Sequence, residues 1–146
     1  MICVDSSVAA KWLLREQYST KSRALLRTQL EEQQLIIAPP LLPIEIANIL
    51  RQRIRAGALT PGHAQRRLSR FLALPLTVLA PPDLYSRALA IAVERNLPAV
   101  YDPLYVALAE SMACPLWTAD QKLIRAVGTH FPFIRWIGDY QGGETA

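Results

Sequence analysis

Short runs of apolar residues alternate along this chain with longer segments in which apolar residues recur every three or four positions. The short runs predict buried strands, and the longer segments predict amphipathic helices. The predicted strands are 2–4, 35–38, 76–79, 116–118 and 133–137. The predicted helices are 8–15, 19–32, 43–56, 60–72, 83–95, 103–112 and 120–127.

Strands that alternate with helices are typical of an α/β fold, here a three-layer sandwich in which helices flank a short-stranded, mostly parallel sheet. A length of 146 residues suits one domain. We expect this domain to span 1–140, with 141–146 as a flexible tail. The helices 43–56 and 60–72 follow one another without a strand between them. This pair can therefore project from the sandwich as a helical hairpin.

Four acidic residues lie where such a fold would bring them together. Asp5 and Asp120 each follow an apolar run and precede a predicted helix, and Asp102 opens another helix. Glu45 lies on the first turn of a helix that is otherwise nearly all apolar. Strand ends and helix starts share the edge of a parallel sheet at which ligands bind. We therefore expect the four carboxylates to converge at that edge.

Helix capping is the simpler explanation for each aspartate taken alone, because Asp is a favoured N-cap residue. Asp83 serves as a comparison, since we expect it to cap a helix and to have no chemical role. Glu45 resists this explanation, because Glu is a poor N-cap and both of its neighbours are Ile. A buried, unpaired carboxylate is costly. A metal ion, or water held by a metal ion, would remove that cost.

Taken together, the four carboxylates predict a divalent cation site. They would repel one another without a cation, and hard oxygen ligands suit Mg²⁺ or Mn²⁺. Such sites hydrolyse phosphodiesters. The residues that two nucleotide-binding folds require are absent. The first strand is not followed by the glycine-rich turn of a dinucleotide-binding fold, and the chain has no P-loop Gly-Lys-Ser/Thr. Ser6 and Ser7 have no nearby His to act as a base.

The basic residues favour an anionic partner. The net charge is +4, and thirteen of the sixteen basic residues are Arg, the better fork for phosphate. No acidic residue lies between positions 45 and 83, a stretch that contains rows of Arg one helical turn apart. The candidates for phosphate contact are Lys11, Arg15, Arg51, Arg55, Arg66 and Arg70. A solvated helical face, or a surface for an acidic protein, explains these residues equally well.

The apolar content bears on assembly and location. At 51% hydrophobic residues and a mean hydropathy of +0.15, the chain is apolar for its size, which favours a homodimer. The longest apolar stretch, 35–50, contains three prolines and Glu45, so no membrane span is expected. Cys3 and Cys114 are too few and too far apart for a zinc site. We expect free thiols in a reducing cytoplasm, and no signal peptide.

Four segments around the acidic residues resemble the signature segments of a known family. They are 4–8 (VDSSV), 43–48 (PIEIAN), 101–109 (YDPLYVALA) and 117–123 (WTADQKL). Each segment alone is a weak signal, but four in the family's order, over essentially the whole chain, are a strong one. The chain is similar to the PIN domain, and in particular to the VapC-type toxins of bacterial toxin–antitoxin pairs.

The resemblance implies an endoribonuclease that depends on Mg²⁺ or Mn²⁺. The positions that match the family's catalytic, metal-binding acidic residues are Asp5, Glu45, Asp102 and Asp120, and those that match its supporting hydroxyls are Ser7 and Thr118. Some members carry a further acidic residue after the last Asp, where this chain has Gln121-Lys122-Leu123. The number of ions therefore stays open. Pro103 replaces a small residue and is compatible with a helix N1 position.

The resemblance also implies partners, namely an RNA substrate, a second copy of the chain and a small antitoxin protein. The antitoxin is expected to lay an apolar segment across the helices near the site and to insert a basic side chain into the acidic pocket. The candidate contacts are Trp12, Leu13, Leu50, Ile54, Phe71 and Leu72. Each can instead belong to the core, which is the favoured explanation for Leu50. Two other functions remain open, a PIN nuclease of RNA maturation without an antitoxin and a catalytically silent PIN-fold binding module.

Overall fold

A computed structural model describes residues 1–142, and residues 143–146 of the expected tail lie outside the described part. The strands are β1 (Ile2–Val4), β2 (Ile36–Ala38), β3 (Leu76–Val78), β4 (Leu116–Thr118) and β5 (Ile134–Trp136). The helices are α1 (Ser6–Leu13), α2 (Ser19–Glu31), α3 (Leu41–Arg55), α4 (Pro61–Leu72), α5 (Leu84–Glu94), α6 (Tyr101–Ser111) and α7 (Gln121–Val127). A 3-10 turn at Ile137–Asp139 follows β5.

The strands form one sheet in the order β3-β2-β1-β4-β5, and every pairing is parallel. In the central strand, Cys3 lies opposite Ile37 of β2 and Leu116 of β4. The chain builds outward from β1 to β3 and then crosses back to β4, so the strand order reverses between β1 and β4. In open α/β sheets, ligands bind outside the carboxyl ends of the strands at such a reversal.

Burial explains why the inner strands read as continuous apolar runs. All residues of β1, β2 and β4 are buried, whereas β3 and β5, at the edges, are partly exposed. Helices cover both faces of a parallel sheet, so the side chains of an inner strand are buried on both faces. Right-handed crossovers place α1 to α4 on one face of the sheet and α5 and α6 on the other. The predicted three-layer α/β sandwich is confirmed.

The helical pair α3–α4 does not project freely, contrary to one possibility that the sequence allowed. α3 packs against both α1 and α4. Its apolar stripe of Leu42, Ile46 and Leu50 is buried, and α4 buries Ala64 and Phe71. These residues belong to the hydrophobic core. Four of the six arginines of the pair are exposed, and the inner face of the pair is fixed to the sandwich.

Two prolines lie deeper in their helices than the sequence indicated. Pro43 and Pro103 were expected at N1, but α3 begins at Leu41 and α6 at Tyr101, which puts both prolines at the third helical position. The N–H groups of the first turn have no partner within the helix, so proline is tolerated there. Thr60 caps α4, and its hydroxyl accepts a hydrogen bond from the His63 N–H at 3.2 Å.

One helix carries an apolar stripe that faces solvent. Tyr85, Leu89 and Val93 of α5 are spaced four residues apart and are 58%, 58% and 72% exposed. Residues at this spacing share a helix face. Among the described helices, none has the length and apolar character needed to span a bilayer.

Candidate functional site

Asp5 lies at the carboxyl end of β1, where it both caps α1 and accepts side-chain hydrogen bonds. Its Oδ1 accepts from the Val8 N–H at 3.1 Å and from the Ser7 hydroxyl at 2.5 Å. Its Oδ2 accepts from the Thr118 hydroxyl. The residue is 4% exposed. A cap needs only the first of these bonds, so the two hydroxyls indicate that the orientation of the carboxylate is fixed for a further reason.

The two hydroxyls connect the ends of β1 and β4. The Ser7 oxygen accepts a hydrogen bond from the Ala119 N–H at 2.8 Å, and the Thr118 oxygen accepts from the Asp120 N–H at 3.0 Å. Each hydroxyl thus donates to Asp5 and accepts from the backbone that follows β4. These bonds hold the carboxyl ends of β1 and β4 together at the point where the strand order reverses. Ser7 and Thr118, the two hydroxyl residues that the resemblance named, thus both donate to the Asp5 carboxylate.

Burial raises the pKa of Asp5 from its ordinary value of 3.8 to about 6. Desolvation is the main cause, and the negative charge of Asp102 adds to it. The bonds from Ser7, Thr118 and the Val8 N–H act in the opposite direction, because they favour the ionised form. The protein therefore holds a carboxylate in an environment that disfavours its charge, which is the setting that a bound cation would relieve.

Asp102 was predicted to open a helix, but it caps nothing. α6 starts one residue earlier, with Val100 at the N-cap position, and no side chain caps the helix. The pKa of Asp102 is raised, first by partial burial and then by the negative charges of Asp120 and Glu45. Capping therefore cannot explain this aspartate. Its carboxyl group instead lies close enough to those of two other elements to feel their charge.

Glu45 departs from the sequence prediction in two ways. α3 begins at Leu41, so Glu45 lies on the second turn rather than the first. Its side chain is half-buried rather than enclosed, and it is not unpaired, because Oε1 accepts a hydrogen bond from the Tyr105 hydroxyl at 2.5 Å. Tyr105 is 1% exposed. The argument that Glu45 needs a metal to satisfy its charge was therefore incomplete.

Tyr105 is a residue of this site that the sequence analysis missed. Burial, and after it the bond to the Glu45 carboxylate, raise the pKa of Tyr105, so its hydroxyl stays protonated and donates. Asp102 and Tyr105 are three positions apart on α6 and share a helix face. A polar aromatic residue one turn after the aspartate, in a helix that is otherwise buried and apolar, was the signal that could have found it.

Asp120 caps α7 and also affects the pKa of a second acidic residue. Its Oδ1 accepts from the Lys122 N–H at 2.9 Å at the start of α7, and its charge raises the pKa of Asp102. Asp83 occupies the N-cap position of α5 but makes no capping bond with its side chain, so that prediction was wrong. In contrast to Asp120, it does not contribute to the raised pKa of Asp5 or of Asp102.

The donor set suits a hard cation, but it does not form a compact cage. Within residues 1–142, no group of three or more His, Cys, Asp or Glu side chains is arranged closely enough to hold a metal ion. The carboxylates nevertheless come from four separate elements. The charges of Asp120 and Glu45 raise the pKa of Asp102, and the charge of Asp102 in turn raises the pKa of Asp5. All available donors are oxygens, which fits Mg²⁺ or Mn²⁺ and does not fit a soft metal.

The PIN domain family model matches residues 2–128. The chain belongs to the PIN domain family. It is 34% identical over 123 residues to a protein named VapC ribonuclease Mb0985 of Mycobacterium bovis and to Ribonuclease VapC9 of Mycobacterium tuberculosis, which covers 84% of this chain and 88% of each relative. The crystal structure of PAE2754 from Pyrobaculum aerophilum superimposes with a TM-score of 0.69 at 26% identity, covering 94% of this chain and 90% of that one.

The basic residues named from the sequence occupy three different parts of this PIN domain. Arg51, Arg55 and Arg66 are exposed on α3 and α4. Arg15 and Arg70 line a groove of about 560 Å³ between α1, α2, α3 and α4. Lys11 is buried and lines a different pocket, which contains Asp120. Lys11 and Arg15 therefore line two different pockets, and only that of Lys11 includes an acidic residue of the site.

Three further arginines of the PIN domain line the groove and were not singled out from the sequence. Arg67 donates to the Leu13 carbonyl at 2.6 Å and Arg23 to the Leu14 carbonyl at 3.3 Å. Arg53 lies 3.4 Å from Glu16. These positions follow from how α2, α3 and α4 pack around the end of α1, which side-chain spacing within one helix does not reveal.

The expected contacts with a partner protein divide between core and groove. Leu50 and Phe71 are 3% and 2% exposed and belong to the core, so they are not available to a partner. Trp12 and Leu13 line the groove of about 560 Å³. Ile54 is partly buried against the core, and Leu72 is 60% exposed. Phe71 points inward because it lies on the same face of α4 as Ala64, which packs on the sandwich.

Proposed function

We propose that this PIN domain is an endoribonuclease that depends on Mg²⁺ or Mn²⁺ and acts as the toxin of a toxin–antitoxin pair. The names of the mycobacterial relatives support a ribonuclease. The structural observation that carries the proposal is that the Ser7 and Thr118 hydroxyls fix the Asp5 carboxylate at the point where the strand order reverses. Asp102, on α6, has no capping role to explain its position.

The residues that would hold the cation are Asp5, Glu45, Asp102 and Asp120. When bound, a divalent cation supplies a more acidic water and stabilises negative charge on the phosphate. Asp5 is oriented by Ser7 and Thr118, and Glu45 by Tyr105. Carboxylates whose rotamers are fixed in this way do not have to reorganise when substrate binds. Those that are not direct ligands would orient the waters of the ion.

The two helices beside the site would hold the RNA. Arg51 and Arg55 share a face of α3, and Arg66 and Arg70 share a face of α4. All four are exposed, so each can contact a phosphate without losing a partner that is buried with it. Contacts of this kind position the nucleic acid and carry no sequence information. The carboxylates would thus carry out the chemistry and the arginines would hold the RNA, although Glu45, Arg51 and Arg55 share α3.

The partners are an antitoxin and a second copy of the chain. The groove between α1 and α4 combines apolar side chains such as Trp12 and Leu59 with several arginines, which suits an apolar segment with acidic residues. The exposed stripe of α5 is the apolar surface that a second copy would cover. Cys3 and Cys114 are both buried free thiols, which agrees with a reducing cytoplasm.

Cleavage of a panel of structured RNAs tests the activity. Wild-type protein, freed of any bound partner, is incubated with Mg²⁺, with Mn²⁺ and with chelator. We expect defined cuts with either ion and none with chelator. A protein that binds RNA but leaves every RNA intact under all conditions would be the silent binding module. A small open reading frame adjacent to the gene, whose product binds the protein and stops cleavage, separates a toxin from a nuclease of RNA maturation.

A further inference from the structure

A second pocket, separate from the arginine groove, lies directly beside the acidic site. It has a volume of about 380 Å³ and includes Asp120 itself. The side chains that matter here are Lys11, Tyr18, Lys122, Arg125 and Trp136, which come from α1, the turn before α2, α7 and β5. A group bound in this pocket would be next to whatever binds at the carboxylates.

The pocket carries excess positive charge. Lys122 and Arg125 are exposed, and within residues 1–142 neither has an acidic partner within 4 Å. Lys11 lies 3.8 Å from Glu16, a separation at which its charge is only partly neutralised. Asp120 is the acidic residue that lines the pocket, and one of its oxygens already accepts from the Lys122 N–H. The net field in the pocket therefore favours an anion.

The same pocket has an aromatic wall. Tyr18 and Trp136 pack edge to face, with ring centroids 5.3 Å apart and planes at 76°. The Tyr18 backbone has a φ of 66°, a left-handed conformation that costs free energy for a residue other than glycine. Trp136 Nε1 is buried and lacks a hydrogen-bond partner among the described atoms. Neither feature improves the stability of the fold, so both call for another explanation.

Gly138 allows the indole to lie where it does. A Cβ on this residue would come within 2.6 Å of three atoms of the Trp136 ring. Lys21 donates to the Gly138 carbonyl and ties this turn to α2. A rigid ring cannot move away as the end of a flexible side chain can. The position of the aromatic wall is therefore built into the backbone.

We propose that this pocket binds a nucleotide of the RNA immediately next to the cleaved phosphodiester. Tyr18 and Trp136 would contact the base, and Lys122 and Arg125 its phosphate. Unpaired bases bind to aromatic side chains, and basic groups bind the backbone beside them. The inference rests on the proposed ribonuclease function and adds to it a reason for the enzyme to prefer unpaired RNA and to select a base beside the cut.

Binding of short single-stranded oligoribonucleotides tests the pocket. The measurements use the full chain with Asp5→Asn, so that the RNA stays intact, and follow fluorescence anisotropy at several salt concentrations. Arg125→Ala should weaken binding and reduce the salt slope by about one. The matched control is Arg27→Ala, which removes an exposed helical arginine outside the pocket and should change neither.

The aromatic wall is tested by two substitutions at one position. Trp136→Leu should weaken binding about tenfold, because base stacking is lost, whereas Trp136→Phe should retain most of the affinity. In the cleaving enzyme, Trp136→Leu should also flatten the base preference at one position beside the cut. Thermal unfolding shows whether the leucine variant is folded. If it is not, Arg125→Ala and a Tyr18→Leu variant decide the question.

Two results would overturn the proposal. One is Arg125→Ala and Trp136→Leu binding RNA with the affinity and salt slope of the Arg27→Ala control. The other is a loss of binding to a protein partner with RNA affinity unchanged. Failure of the proposed function is distinguishable from either, because it would appear as absence of cleavage by the wild type with every metal ion, while the binding assay would still report on the pocket.

Discussion

At the reversal of the sheet, short polar side chains hold a carboxylate in a buried network, whereas on α3 and α4 long arginines extend into solvent. Asp5 is 4% exposed and accepts bonds from Ser7, Thr118 and a backbone N–H. Arg51 and Arg55 are exposed on a helix whose opposite face is core. The acidic carboxylate is thus held by hydrogen bonds within the protein, whereas the exposed arginines are in contact with solvent.

The two regions differ in how much they reduce the free energy of unfolding. Holding a charge away from water destabilises the fold, and this desolvation is the main reason that the pKa of Asp5 is raised. An exposed arginine costs the fold almost nothing, and it gains little until it meets a phosphate. Substitutions in the acidic region should therefore change both chemistry and stability. Substitutions in the basic region should change binding alone.

The largest effect is expected at Asp102, which is coupled to other acidic groups and caps nothing. Asp102→Asn should reduce RNA cleavage by at least about 100-fold, because the charge is lost while shape and packing are retained. Initial rates on the best RNA of the panel measure the loss, with Asp83→Asn as the control aspartate. Cleavage at the wild-type rate, in protein free of contaminating nuclease, would remove Asp102 from the catalytic set.

The second effect concerns stability and pH in the absence of metal. Asp5 has a folded pKa of about 6 against an ordinary 3.8, so the native state binds more protons between these values. The contribution of Asp5 to the free energy of unfolding is therefore most favourable below pH 3.8, and this contribution is lost as the pH rises through about 6. The loss at neutral pH is about 3 kcal/mol. Asp5→Asn should recover part of it.

Urea unfolding in chelator, at pH 4.5 and pH 7.5, measures this effect. The variant should gain stability relative to wild type at the higher pH and little at the lower one. Added Mg²⁺ should reverse the order by stabilising the wild type alone, since a ligand that binds only the native state shifts the equilibrium toward it. Parallel pH curves for the two proteins would mean that burial does not perturb Asp5.

A smaller effect is expected for the hydroxyl that joins the two strand ends. Thr118 is fully buried, donates to Asp5 and accepts from the Asp120 N–H. Thr118→Val keeps the shape but leaves both partners unsatisfied, at a cost of about 1–3 kcal/mol of stability. Cleavage should fall about 10- to 100-fold, as for other groups that orient metal ligands. Thr77→Val, in the edge strand β3, is the matched control, and equal losses in both variants would contradict the assignment.

The sequence predicted the fold well because its signals were local. Continuous apolar runs marked the inner strands, and the alternation of strands and helices put Asp5 and Asp120 at strand ends on one edge of the sheet. That these two strands are neighbours is seen only in the structure. Helix starts were less accurate, because Pro43 and Pro103 are tolerated at several first-turn positions and do not specify one. Both prolines therefore lie at the third helical position rather than the first.

The parts of the site that the sequence missed depend on contacts between elements distant in the chain. Tyr105 reaches Glu45 across sixty positions, and Arg67 reaches the end of α1 across fifty-four. Periodicity within a helix reports which residues share a face, but not which neighbour that face meets. The same limit explains why Phe71 was considered as a surface contact when it lies in the core.

The smallest effect is expected for the exposed arginines of α3 and α4. Replacing Arg51 and Arg55 together with Ala should weaken RNA binding severalfold and reduce the salt slope by about two, because two phosphate contacts are lost. The effect should fall on KM rather than kcat, since the acidic region is untouched. Stability should change by less than about 0.5 kcal/mol, as expected for exposed positions.

The pair Arg66 and Arg70 is a less specific test, because Arg70 also lines the groove. A variant without all four arginines that retains wild-type affinity and salt dependence would show that RNA does not cross α3 and α4. If that same variant instead binds its protein partner less tightly, the basic region serves the partner and not the substrate.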